Sequence, residues 1–77
     1  MPKLELYSRP GCSYCQKVMR FISDNKMNIS LKDITNETNR QTLLKVGGKQ
    51  QVPCLFIDGK PMYESDDIIK YLKDHRL

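Results

Sequence analysis

Leu4 and Leu6 alternate with Lys3 and Glu5, and Tyr7 follows, so the chain opens with a short strand over roughly residues 3–7. Ser8-Arg9-Pro10-Gly11 breaks the alternation and reads as a loop. From Ser13 to about Lys26 the apolar period becomes helical, with Val18, Met19, Phe21 and Ile22 on one face and Asn25 as a stop. Ile29, Leu31 and Asp33 then share one face of a second strand, and Ser30 and Lys32 share the other. Residues 36–46 form a second helix with Leu43, Leu44 and Val46 inward, closed by Gly47-Gly48. Cys54-Leu55-Phe56-Ile57 is an unbroken apolar run, the mark of a strand covered on both faces. Asp58-Gly59 predicts a two-residue hairpin returning through residues 60–63. A last helix runs from about Ser65 to Lys73, with Ile68, Ile69 and Leu72 on one stripe and Ser65 as its N-cap.

The predicted order is β-α-β-α-β-β-α, an α/β fold with one four-stranded mixed sheet and three helices. Strands joined through helices favour parallel pairing, and the hairpin adds an antiparallel edge. Seventy-seven residues suffice for one domain, 1–77. A chain this short buries only roughly 60–65% of the surface its unfolded state exposes, so any site must be shallow. The start MPKLEL lacks an apolar signal core, and no apolar stretch approaches the ~20 residues of a membrane span. A cytoplasmic protein without a membrane partner is therefore expected. Thirteen Lys and Arg against nine Asp and Glu give a formal charge of +4. These cations are dispersed and interleaved with acids, which argues against a nucleic-acid partner and leaves only a mild preference for small anions.

Cysteine usage changes the picture more than charge does. Cys12 and Cys15 bracket Ser13-Tyr14, and Cys54 stands alone; an odd count without a signal sequence argues against a secreted disulfide framework. Thiol–disulfide exchange needs a thiolate, and a helix N-terminus supplies one through its unpaired N–H groups and its dipole. Cys12 falls at that position, Cys15 lies one turn further in, and Arg9 adds positive potential. The other readings are an inert structural pair or half a zinc site. Zinc requires four ligands, and only Cys54 and His75 remain to complete a set, so no metal site is expected. Cys54 itself reads as a buried small hydrophobe.

Along nearly its whole length the chain resembles the glutaredoxin family. The resemblance rests on Tyr7-Ser8-Arg9-Pro10-Gly11-Cys12-Ser13-Tyr14-Cys15, then Val52-Pro53, then Ser65-Asp66-Asp67, at the spacing of small dithiol members. It implies a thioredoxin-like fold and Cys12–Cys15 as a redox-active disulfide. It also implies a cis Pro53 facing the cysteines, with the backbone of Val52 open to pair with glutathione. In the same terms Ser65 and Asp66 meet the γ-glutamyl group, Arg9 and Lys49 the glycyl carboxylate, and Tyr14 the ligand backbone. Two positions depart from the family pattern. Tyr63-Glu64 replaces the usual Gly-Gly, and Tyr63-Glu64-Ser65 is similar to the Glu-Ser segment of glutathione transferase N-terminal domains, which makes Glu64 a further contact. Ser13 replaces the usual Pro, as in relatives that hold a [2Fe–2S] cluster between two protomers.

The resemblance implies an enzyme of cell redox homeostasis and electron transport, expected to be monomeric. Glutathione is its co-substrate, and disulfide-bearing or glutathionylated proteins are its partners. A glutathione-ligated [2Fe–2S] carrier is the alternative. A thioredoxin-like reductant is disfavoured because Ser13-Tyr14 is not the Gly-Pro type. A full glutathione transferase is not expected, since its all-helical second domain has no counterpart in the 77 residues.

Overall fold

The computed structural model describes residues 3–75. Its elements are β1 (Leu4–Ser8), α1 (Ser13–Asp24), β2 (Ser30–Asp33), α2 (Glu37–Thr42) continuing as a π-helical turn (Leu43–Gly47), β3 (Cys54–Ile57), β4 (Lys60–Met62) and α3 (Ser65–Asp74). The four strands form one sheet in the order β2-β1-β3-β4. β1 pairs parallel with β2 and antiparallel with β3, and β3 pairs antiparallel with β4. The element order and mixed sheet are those expected from the sequence.

Alternation along the two central strands divides the interior into unequal halves. Leu6 and Leu55 face α1 and α3 and pack with Val18, Ile22, Ile68 and Leu72. Tyr7, Cys54 and Phe56 face the other side, where Ile34 and Leu43 cover them. The Tyr7 and Phe56 rings meet there at 4.5 Å between centroids. Cys54 through Phe56 are buried, as a strand walled on both faces requires.

Leu31 sits in register with Leu6, yet it is 53% exposed. β2 is an outer strand, and Leu31 lines an open groove with Gln16 and Met19 of α1. The second helix also differs from expectation. Asn36 caps it, its side-chain oxygen accepting from the Thr38 and Asn39 amides. The last turn then widens to π geometry, which buries Leu43 but leaves Val46 exposed. Gly48, at φ +82°, closes the turn, its N–H donating to the Leu44 carbonyl. Asp58 and Gly59 both have positive φ, the requirement of a two-residue turn between twisted antiparallel strands. Ser65 is not the N-cap of α3. Glu64 holds that position, at φ +75° and without a side-chain cap bond, and Ser65 is the buried first helical residue.

Candidate active site

The Cys12 thiol is placed by the turn that joins β1 to α1. Gly11, at φ +78°, takes a conformation that side chains disfavour and reverses the chain into the helix. Cys12 follows in extended geometry as the N-cap of α1. Its sulfur accepts a hydrogen bond from the Cys15 amide at 3.2 Å. A thiol thus occupies the place usually taken by Ser, Thr, Asp or Asn, where a negative charge meets unpaired N–H groups. Cys12 is 8% exposed and Cys15 is fully buried, so Cys12 is the sulfur that solvent reaches.

The three thiols are set apart electrostatically. At Cys12, burial works against ionisation. It is outweighed by hydrogen bonds from the Cys15 thiol, from the amides of Cys15 and Tyr14, and from Arg9, so the thiol ionises below its ordinary value. At Cys15, burial and the donor role toward Cys12 push the thiol up to about 11. Burial also pushes Cys54 up to about 11, against weaker help from the Tyr63 hydroxyl, the Met62 backbone and Lys49.

Beside this dyad lies a groove of about 360 Å³, lined by Tyr14, Gln51, Val52, Pro53, Glu64, Ser65 and Asp66. The Val52–Pro53 peptide bond is cis. Six of the residues singled out in the sequence therefore converge from three separate segments: Tyr14, Val52, Pro53, Glu64, Ser65 and Asp66. The left-handed Glu64 turns the chain so that α3 begins at the groove wall. Tyr14 is 64% exposed, an aromatic face held open to solvent.

Arg9 and Lys49 are not part of that wall. Arg9 lines a separate groove of about 380 Å³ with Gly11, Gln16, Met19 and Leu31, and from there it favours the ionised forms of both Cys12 and Cys15. The Lys49 ammonium lies 4.5 Å from the centre of the Tyr63 ring, whose hydroxyl donates to the Lys49 carbonyl at 3.2 Å. The contact between Lys17 and Asp66 escaped the sequence reading. Their Nζ and Oδ1 atoms lie 2.7 Å apart across 49 residues of chain, and Lys17 pulls the Asp66 carboxyl below its usual range. No local pattern joins the two, and only the packing of α1 beside α3 does so. Gln51 also went unnoticed; its placement next to Val52 was the available signal.

With this geometry in hand, the likenesses to known proteins take on meaning. Residues 6–76 match the family described as glutathione S-transferase, N-terminal domain. Glutaredoxin 1 of Rickettsia prowazekii (strain Madrid E) is 29% identical over 75 residues, covering 94% of this chain and 79% of that protein. The hybrid peroxiredoxin hyPrx5 of Haemophilus influenzae is 28% identical over 68 residues, which span 88% of this chain but only 28% of that longer protein. Among solved structures, the thioredoxin-like protein BC3987 superposes with a TM-score of 0.80 at 26% identity, covering 94% of this chain and 97% of that one.

Proposed function

This chain belongs to the family of glutathione S-transferase N-terminal domains and has a thioredoxin-like fold; on that premise we propose that it is a glutathione-dependent thiol–disulfide oxidoreductase with Cys12 as its nucleophile. The observation that carries this reading is the Cys12 sulfur seated as the N-cap of α1, where it accepts the Cys15 amide at 3.2 Å. Cys12 is favoured as thiolate, while Cys15 is held as thiol one turn away and donates to it. The likeness to glutaredoxins supports the same chemistry.

The Cys12 thiolate attacks the glutathionyl sulfur of a mixed disulfide. A new Cys12–glutathione disulfide forms, the old S–S bond breaks, and the substrate thiolate leaves and takes a proton from water. The thiolate of a second glutathione then attacks the glutathionyl sulfur, releasing oxidised glutathione and restoring the Cys12 thiolate. With a protein disulfide, Cys12 forms a mixed disulfide with one substrate sulfur. Cys15 loses its proton as its sulfur attacks that of Cys12, closing the Cys12–Cys15 disulfide and freeing the reduced substrate. Two glutathione molecules reopen it. Glutathione fits the groove in kind: the first amides of α3 suit its γ-glutamyl carboxylate, Asp66 its ammonium, and the Val52 backbone its cysteinyl peptide.

The test is turnover of a glutathionylated peptide coupled to glutathione and glutathione reductase. Cys12→Ser should lose activity entirely, and Cys15→Ser should keep deglutathionylation while losing reduction of protein disulfides. Normal turnover by Cys12→Ser would reject the assignment. No particular observation favours the [2Fe–2S] alternative.

A further inference from the structure

Asp66 lines the groove proposed for glutathione, but its carboxylate is already engaged. Lys17 Nζ reaches Oδ1 at 2.7 Å from the neighbouring helix, and the two residues also share a second, shallower depression with Ile69, Lys70, Lys73 and Asp74. Lys17 therefore stands at the boundary between the groove and open surface, outside the groove wall. Its side chain is 55% exposed and that of Asp66 is 85% exposed, so water competes for both groups and the pair can be parted cheaply. A ligand ammonium arriving at Asp66 meets the same carboxylate and the same sign of charge that Lys17 already supplies.

We propose that Lys17 is a built-in competitor for the ammonium subsite, and that it tunes which γ-glutamyl ligands the groove retains. This rests on the glutathione reading above and extends it to a positioning residue that acts through Asp66. In the free protein Lys17 neutralises Asp66. A ligand with a free α-ammonium must displace that partner, so its affinity is lowered by the strength of the pair. A ligand of the same shape without the amine leaves Lys17 in place and does not meet this opposition. The groove thereby distinguishes ligands by their amine less sharply than an unopposed Asp66 would, and a bound glutathionyl group leaves more readily.

The experiment compares two unreactive probes, S-methylglutathione and its deaminated glutaryl counterpart, by following amide shifts in titrations of the full chain. Lys17→Gln should tighten S-methylglutathione about two- to five-fold, the range expected for an exposed pair, and leave the deaminated probe unchanged. In an Asp66→Asn background the same Lys17 substitution should have no effect on either probe. In turnover, Lys17→Gln should lower KM for a glutathionylated peptide while kcat stays put, because the variant leaves Cys12 and its bonds untouched. Weaker binding by Lys17→Gln would mean that Lys17 holds the ligand directly, and it would overturn the proposal. An equal gain for both probes, or a gain that survives Asp66→Asn, would do the same. Failure of the unmodified protein to bind S-methylglutathione at all would instead remove the glutathione reading on which the proposal stands.

Discussion

Cys12, Cys15 and Cys54 share one side-chain chemistry and differ only in what surrounds the sulfur. The Cys12 pKa is lowered by the neighbouring Cys15 thiol, by the amides of Cys15 and Tyr14, and by Arg9, all acting on the same sulfur. Cys15 and Cys54 are enclosed by apolar packing, and the enclosure outweighs every favourable contact. Alkylation by iodoacetamide read by mass spectrometry should therefore separate them. A depressed ionisation at Cys12 means that its thiolate is present above that lowered midpoint and lost as pH falls through it. The labelling midpoint of Cys12 should accordingly lie below that of a free cysteine measured alongside it, and Arg9→Gln should move that midpoint upward. The other two thiols should stay unlabelled until the solution approaches pH 11. Equal labelling of all three near pH 9 would contradict this ordering. The spacing of Cys12 and Cys15 at a helix start was enough to anticipate which sulfur sits at the exposed mouth of α1. The engagement of Asp66 by Lys17 was not, because a contact across 49 residues is set by the angle between two helices.

At the scale of elements, the segment between α2 and β3 shows how a local oddity serves a distant residue. The π turn brings Gly47 against Tyr63, which in turn ties down the carbonyl of Lys49, two residues before the groove residue Gln51. A Cβ on Gly47 would run into the Tyr63 hydroxyl, with Leu43 close behind. Gly47→Ala should destabilise the fold by about 1–3 kcal/mol in urea unfolding, and the loss should shrink when Tyr63→Phe removes the hydroxyl. Equal losses in both backgrounds would show that the clash is not the cause. From sequence, Gly47-Gly48 read simply as a helix stop. Gly48 fulfils that part through its left-handed cap, whereas the demand on Gly47 comes from a side chain sixteen positions away. Glu64 is a comparable case. A charged residue carries no sign that it will adopt φ +75°, so Ser65 looked like the cap until the backbone placed it one step inside.

For the molecule as a whole, the apolar pattern specified each strand and helix and the mixed sheet, because burial on one or both faces leaves period-two and period-3.6 signatures. It misjudged the margins. Leu31 and Val46 fit their patterns but lie on an outer strand and in the widened turn, respectively. The two interior halves also carry unequal loads: α1 and α3 bury four apolar side chains against Leu6 and Leu55, whereas α2 with its π turn contributes Leu43. That asymmetry has a mechanical consequence. Cys12 is mounted on the more heavily packed side of the sheet, and the segment carrying Lys49 to Pro53 leads out of the other side. Deuterium uptake at backbone amides should be faster through residues 37–47 than through α1, and uniform uptake would deny the difference. Faster exchange there would let one wall of the groove shift while the seat of Cys12 stays fixed.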